Sequence, residues 1–146
     1  MKVKEANKEK FKLMIYSLMR AIKDDAERCA EMCGGVTEKD MTVIGFVGQK
    51  KNVKMSDIAE NIDAPMSTLT KIIDRLVERN ILIREHSSND RRAINVTLSK
   101  QGEAFYKSLG DQKKQVAETL LSQYDEKEQE LFLKHLSALI TSLAKK

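Results

Sequence analysis

The 146-residue sequence contains no tryptophan, one proline and six glycines, and aromatic residues make up only 5% of it. It has no glycine- or serine-rich tract, which excludes a flexible linker and a low-complexity segment. No apolar run approaches the roughly 20 residues that cross a bilayer. The N-terminal segment is charged and lacks the apolar core of a secretory signal. We therefore expect a soluble cytoplasmic protein, not bound to a membrane, whose core is built from aliphatic side chains and methionine.

The sequence also lacks the patterns of common catalytic and metal sites. There is no glycine-rich phosphate loop, no nucleophile elbow, and no set of Ser, His and Asp or of Cys and His that suits nucleophilic catalysis. His86 and His135 are far apart and show no ligand spacing, and two cysteines alone would need two further ligands to hold a metal. We therefore expect no enzyme activity, no metal and no cofactor.

The net charge of +4, from 26 basic and 22 acidic residues, is only mildly basic. Such a charge permits binding to phosphate without requiring it, so the argument depends on where the charges lie.

Apolar residues recur at three- and four-residue spacings along most of the chain, which predicts helices. The first helix is predicted over residues 11–33, ending at Gly34-Gly35. Thr37, with Asp40 three residues later, resembles a capping box and predicts the start of a short second helix. A third short helix is predicted over residues 56–62.

Residues 66–98 are the most informative part of the chain. They begin with a fourth predicted helix whose buried stripe is Leu69, Ile72, Ile73, Leu76 and Val77. Asn80 suits the left-handed conformation that often follows a helix. Two strands over residues 81–85 and 93–98 are then predicted as a β-hairpin, with a polar tip between them. That tip carries Asp90, Arg91 and Arg92.

Two more helices complete the chain. Ser99 is predicted to cap the fifth, and Asp125 with Glu128 resembles a capping box at the start of the last. The predicted order is therefore α-α-α-α-β-β-α-α, a mainly helical fold with a small β-hairpin whose middle is a winged helix-turn-helix.

The terminal helices have apolar stripes but no core of their own. A second copy of the chain is the simplest cover for them, so we expect an intertwined dimer through these helices. The candidate dimerisation residues are Phe11, Ile15, Leu18, Phe132, Leu136, Leu139 and Leu143. We accordingly divide the chain into a winged helix-turn-helix DNA-binding domain over residues 36–100 and a helical dimerisation region over residues 1–35 and 101–146.

A polar helix followed by a hairpin with paired arginines is suited to gripping duplex DNA. The helix would enter the major groove and the hairpin the flanking minor groove. The candidate reading residues on the helix are Ser67, Thr68, Thr70, Lys71 and Arg75. The alternative is that the basic side chains only solvate the helix and pair with acidic neighbours on it. The adjacent wing favours the DNA-binding interpretation.

Four motifs stand in a fixed order in this chain: Asp57-Ile58-Ala59-Glu60, residues 67–76, Asp90-Arg91-Arg92, and Val96-Thr97-Leu98-Ser99 with Gly102. Together they resemble the MarR family of bacterial transcriptional regulators along essentially the whole length. The resemblance implies a homodimer with interlaced terminal helices that binds a palindromic double-stranded DNA operator. It also implies that Asp90 orients Arg92 into the minor groove while Arg91 contacts phosphate, and that the protein is a repressor of a nearby operon.

The resemblance further implies that a small aromatic or amphipathic effector relieves repression. Its cleft would be lined by residues 14–30, residues 41–47 and the start of the fifth helix. Cys29 and Cys33 lie four residues apart on the first helix, where reduced cysteines usually serve as small core residues. A MarR-type thiol or oxidant sensor using these cysteines is one alternative function. A winged-helix adaptor that binds proteins and does not read DNA is another.

Two positions depart from the family pattern. Pro65 stands where a capping serine is common, and Lys54 replaces the usual Thr or Ser ahead of the third helix. If Pro65 occupies the first helical position, the fourth helix starts one residue early, Ala64 is a poor cap, and Asp63 is the substitute.

Overall fold

The computed structural model describes residues 1–32, 34–90 and 92–144, and only the backbone of Ala26, Cys29, Ala30 and Met32. The Cys29 side chain, Cys33 and Arg91 therefore lie outside the described residues, and the hypotheses that concern them stay untested. The helices and strands, in chain order, are α1 (Glu5–Met32), α2 (Glu38–Lys50), β1 (Val53–Lys54), α3 (Met55–Asn61), α4 (Met66–Glu78), β2 (Leu82–His86), β3 (Ile94–Leu98), α5 (Lys100–Leu121) and α6 (Glu126–Ala144). The chain forms two compact units, Met1–Glu103 and Ala104–Lys146.

Helix α1 is 28 residues long and begins at Glu5, six residues before the first apolar residue of the predicted helix. Its first turns are polar, and ion pairs three residues apart, such as Lys8 with Glu5 at 2.8 Å, support them. Apolar periodicity therefore placed the start too late. The predicted end is confirmed, because Gly34 and Gly35 both have positive φ, at 68° and 82°, where a side chain would be strained.

The predicted capping box at the start of α2 is confirmed. The Thr37 hydroxyl accepts a bond from the Asp40 N–H at 3.2 Å, and the Asp40 carboxylate accepts one from the Thr37 N–H at 2.8 Å. Val43 is fully buried with Ile44 and Val47, whereas Met41 is only half-buried.

A short strand that the sequence did not reveal, β1, extends the predicted hairpin. The three strands are antiparallel in the order β1-β3-β2, with Val53 opposite Val96 on one side of β3 and Leu82 opposite Leu98 on the other. Two residues are too few to show a period of two, so only the pairing partner reveals the strand. The sheet fixes the position of the wing.

The starts of α3 and α4 carry no side-chain cap. Pro65 is the N-cap of α4, not its first helical residue, and its carbonyl accepts the Thr68 and Leu69 N–H groups at 3.0 and 3.1 Å. The expectation that Asp63 caps this helix is wrong, because Asp63 lies before the N-cap with φ 48°. Lys54 is the N-cap of α3, also without a side-chain bond.

The core of the first unit forms where α2, α3 and α4 pack with the sheet. Four residues of the predicted stripe of α4 are buried, namely Leu69, Ile72, Ile73 and Leu76, and Val77 is half-buried. The helix ends as predicted, with Asn80 left-handed at φ 56°. Ser99 caps α5 by accepting the Gly102 N–H at 2.9 Å, and its hydroxyl donates to the Asn80 carbonyl.

The second unit contains most of α5 and all of α6. The predicted capping box is present, with the Asp125 carboxylate bound to the Glu128 N–H at 2.9 Å and the Glu128 carboxylate to the Asp125 N–H at 3.0 Å. The rings of Tyr124 and Phe132 stack with centroids 6.0 Å apart. None of the helices in the described part of the chain combines the length and apolar character that a membrane span requires.

Candidate nucleic-acid interface

The N-terminal half of α4 presents a polar surface. Ser67 and Lys71, four residues apart, are exposed, and Thr68 and Thr70 are half-buried. The Thr70 hydroxyl donates to the Met66 carbonyl at 2.8 Å, which leaves its oxygen lone pairs as acceptors for an outside donor. No side chain caps this helix start, so its first N–H groups are also open to an anionic partner. These features suit contact with base edges and phosphate.

An open groove of about 510 Å³ runs between the start of α2 and α4. Its lining consists of Thr37, Glu38, Lys39, Thr68, Lys71, Ile72 and Arg75. The candidate residue Lys71 thus stands at the mouth of a depression and not on a flat helix face. Among the described residues Lys71 makes no ion pair, so its charge is available to a partner.

Arg75 is held differently from the other candidates. Its guanidinium forms an ion pair with the Asp40 carboxylate, and the side chain of Asp40 is completely buried. The sequence indicated that Arg75 would either contact DNA or pair with acidic neighbours on α4. The observed partner, Asp40, lies 35 residues earlier in the chain. The acidic neighbour Asp74 instead binds Arg84 of β2 at 2.7 Å. The contact between Arg75 and Asp40 could not be foreseen from local spacing.

The hairpin tip is organised by its own backbone and by Asp90. The Ser87 N–H binds the Ala93 carbonyl at 2.8 Å, and the Ala93 N–H binds the Asp90 carbonyl at 3.0 Å. The Asp90 carboxylate accepts the backbone N–H of Arg92 at 2.9 Å, a local turn that acidic side chains commonly make. Arg92 itself is exposed. Asp90 therefore fixes the backbone from which the Arg92 side chain extends.

The long-range contacts of two residues in this region, Asp40 and Arg84, were not predicted from the sequence. Asp40 was noted only for its capping role, although a fully buried carboxylate requires a charged or strongly hydrogen-bonding partner. Arg84 was assigned to a strand and given no function. Their partners, Arg75 and Asp74, lie 35 and 10 residues away in the sequence, so local spacing gave no signal for either contact.

The residues predicted to form the dimer contact are exposed in the single chain. These are Phe11, Ile15 and Leu18 of α1 and Phe132, Leu136, Leu139 and Leu143 of α6. Large apolar side chains at such density normally mark an interaction surface.

Comparison with known proteins gives a consistent result. The model of the MarR family matches residues 36–94. The HTH-type transcriptional repressor MdtR of Bacillus subtilis is 29% identical over 110 residues, which cover 75% of this chain and 70% of that protein.

Two solved structures share the fold. YusO of Bacillus subtilis has a TM-score of 0.76 and 25% identity, and the match covers 97% of this chain and 99% of that one. FabT of Streptococcus pneumoniae, solved in complex with DNA, has a TM-score of 0.80 and 19% identity, with 92% and 98% covered. The MarR family model therefore matches the segment from α2 to the wing, and the fold of these regulators is shared over nearly the whole chain.

Proposed function

We propose that this protein is a sequence-specific DNA-binding transcriptional repressor that acts as a homodimer on a palindromic duplex operator. The single observation that carries the proposal is the combination of an exposed polar face on α4 with the exposed Arg92 on the wing. The Asp90 carboxylate fixes the backbone at Arg92. The role is one of binding and not of catalysis. The relative MdtR is named a transcriptional repressor, and FabT was solved in complex with DNA.

Residues of α4 would read the major groove. The hydroxyl groups of Ser67 and Thr68 can donate to or accept from base edges. The Thr70 hydroxyl, which donates to the Met66 carbonyl, can accept from a base, and Lys71 suits guanine or phosphate. Arg92 would enter the adjacent minor groove, where a narrow A·T-rich segment concentrates negative potential. The helix α4 would therefore determine the sequence specificity, and the wing would add affinity that depends on the width of the minor groove.

The homodimer is supported by the exposed apolar side chains of the terminal helices. Full burial of one leucine side chain contributes about 1.5–3 kcal/mol, so a second chain covering several of them is strongly favoured. Two-fold symmetry would then present two copies of α4 to two half-sites about one DNA turn apart. On this proposal residues 36–100 bind DNA, and residues 1–35 and 101–146 join the two copies.

A small-molecule effector that relieves repression belongs to the same proposal, and its class is a small aromatic or amphipathic compound. Described residues of α1 line an open depression of about 460 Å³, namely Ala21, Asp24, Glu27, Arg28 and Glu31. Three of these five residues are acidic, so this depression favours a cationic or neutral ligand over a carboxylic acid. We therefore place the effector in the part of the predicted lining formed by residues 14–22 and 41–47, which is less charged.

Binding to the DNA upstream of the gene for this protein tests the proposal. We expect a mobility shift at nanomolar to micromolar protein, with a logarithmic affinity that falls linearly with the logarithm of salt concentration. A duplex of the same composition and scrambled order is the control, and it should bind at least about a thousandfold more weakly. Equal binding to both duplexes would reject sequence-specific reading. No binding to either would favour a protein-binding adaptor.

A further inference from the structure

One carboxylate, that of Asp40, joins the start of α2 to the last turn of α4. One oxygen accepts the Thr37 N–H at 2.8 Å and so closes the capping box, and the other oxygen binds the Arg75 guanidinium. The Asp40 side chain has no exposed surface, whereas that of Arg75 is 44% exposed. A buried carboxylate is stable only when its lone pairs are satisfied, so Asp40 depends on Arg75.

A second arginine reaches the same part of the chain. Arg79 follows Arg75 by one helical turn, and its guanidinium donates to the Gly34 carbonyl at 3.1 Å. Gly34 is the first described residue after α1, and Asp40 lies in the first turn of α2. Two side chains on one face of α4 therefore hold that helix to Gly34, in the connection after α1, and to Asp40, in the first turn of α2.

We propose that Arg75 is a positioning residue for DNA reading, anchored by Asp40, and that together with Arg79 it sets the angle at which α4 meets the groove. The inference rests on the proposed function, and it changes the role that the sequence suggested for Arg75. The residue acts on DNA through the orientation of Ser67, Thr70 and Lys71, which precede it on the same helix.

Burial of Asp40 explains why Arg75 does not serve as a phosphate contact. If the guanidinium turned to a phosphate, it would leave a fully buried carboxylate without its cation. Lys71, one turn earlier, makes no ion pair among the described residues, so it can bind a phosphate without leaving a buried acid unpaired. The two cations, four residues apart on one helix, therefore have different roles, and their glutamine variants make a matched pair.

The first experiment measures affinity against salt for Arg75→Gln and Lys71→Gln. The probe is a duplex of about 20 base pairs selected from a random library by the wild-type protein, with its single-base variants. We expect Lys71→Gln to make the salt dependence shallower by about one ion per half-site. Arg75→Gln should leave the slope unchanged and reduce the preference for the selected duplex over its variants at least tenfold.

The second experiment removes the anchor. Asp40→Asn makes the protein more positive by one charge per chain, so a purely electrostatic effect would strengthen DNA binding. The proposal requires the opposite, a loss of at least tenfold on the selected duplex. The double variant Asp40→Asn/Arg75→Gln should lose no more DNA affinity than the weaker-binding single variant, because both substitutions break the same contact. Stronger binding by Asp40→Asn, or a shallower salt slope in Arg75→Gln, would overturn the positioning role.

Amide hydrogen exchange of the protein without DNA tests the contact between Asp40 and Arg75 independently of DNA binding. Arg75→Gln should speed the exchange of amides in residues 66–78, while β2 and β3 exchange at the wild-type rate. Arg79→Gln should act in the same direction, because it removes the bond to the Gly34 carbonyl. Unchanged exchange in α4 of Arg75→Gln would reject the anchor. A wild-type protein that selects no duplex would instead reject the proposed function, whatever the exchange shows.

Discussion

The middle of the chain and its terminal helices share similar apolar content but bury it differently. Every buried apolar side chain in the described part of the molecule lies between Val36 and Val96. Helix α6 has no buried residue, and large apolar side chains such as Leu133, Ile140 and Leu143 are exposed along it. The described side chains of α1 are also exposed. The middle therefore makes its own core, whereas the terminal helices have apolar surface that the single chain leaves uncovered.

The polar contacts follow the same division. In the middle, a capping residue such as Asp40 is buried and bonded to a distant element, and Ser99 joins the end of α4 to the start of α5. In the second unit, the capping pair Asp125 and Glu128 is exposed and bonded only locally. Removing a buried partner leaves a desolvated group, whereas water replaces an exposed one. Equivalent substitutions should therefore have unequal effects in the two regions.

The largest effect should come from a charge placed on the apolar stripe of α6. We expect Leu136→Asp or Leu139→Asp to dissociate the dimer or unfold the chain, because about 1.5–3 kcal/mol of burial per leucine would be replaced by a buried carboxylate. Light scattering at micromolar concentration should give twice the chain mass for the wild type and the chain mass for the variant.

Ser137→Asp is the matched control for this change. It adds the same charge to the same helix, between the two leucines in sequence and at an exposed position. The control should stay dimeric. A wild-type monomer with full helicity would contradict the expectation, since the stripes would then be stable in water without a partner.

A smaller but still large effect should come from Gly102, where α5 meets the strand region. A Cβ at this position would lie 2.0 Å from the Ile81 carbonyl oxygen, so the backbone must move to admit it. We expect Gly102→Ala to lower the free energy of unfolding by about 3 kcal/mol, measured by urea denaturation.

Gly110 gives the comparison within the same helix. A Cβ there meets no atom of the described residues within 4 Å, so Gly110→Ala should stabilise α5 by up to about 1 kcal/mol. If both substitutions changed the free energy of unfolding in the same direction, the contact between Gly102 and Ile81 would not limit the packing at Gly102. A strongly destabilising Gly110→Ala would place Gly110 in the dimer contact.

Features that depend on neighbours in sequence could be predicted, and those that depend on distant partners could not. The capping boxes at Thr37 and Asp125, the left-handed Asn80 and the Ser99 cap follow from residue type and spacing over a few positions. The uncovered stripes of the terminal helices also follow from periodicity alone, because an apolar face without an internal partner is visible in the pattern.

The missed features share a long-range cause. Strand β1 consists of two residues and exists through its pairing with Asn95 and Val96. The ion pair between Asp40 and Arg75 joins residues that are 35 positions apart and lie on two helices, whereas the local pattern indicated a surface cation at Arg75. The sequence left the start of α4 open at Pro65, and in the structure Pro65 is the N-cap. Candidate residues that need no partner in the chain, such as Ser67 and Lys71, were placed on an accessible face as expected.

The wing should contribute separately from α4. We expect Arg92→Ala to weaken DNA binding by about 1–3 kcal/mol per half-site, most strongly where the flanking minor groove is narrow and A·T-rich. Asp90→Ala should cause part of this loss while removing a negative charge, because the carboxylate holds the Arg92 backbone N–H. Titrations against duplexes with A·T-rich and G·C-rich flanks measure both effects.

The same titrations test the third wing residue. Arg91→Ala should weaken binding to all DNA sequences about equally and make the salt dependence of the affinity shallower by about one ion per wing. Stronger binding by Asp90→Ala would show that Asp90 only repels phosphate. An Arg91→Ala/Arg92→Ala variant that bound as well as wild type would remove the wing from the interface.

The smallest effects should distinguish the two capping boxes. Thr37→Ala and Asp125→Ala each remove a side-chain acceptor from a helix start, a change that costs about 0.5–2 kcal/mol. We expect Thr37→Ala near the upper end, because its hydroxyl helps to hold Asp40 in the place where Arg75 binds it. Asp125→Ala should lie near the lower end, since the Asp125 side chain is exposed and water can replace it. Urea denaturation measures both, and Thr37→Ala alone should also reduce DNA affinity. Equal losses in stability, with DNA binding unchanged in both variants, would mean that the Thr37 cap contributes nothing to the placement of α4.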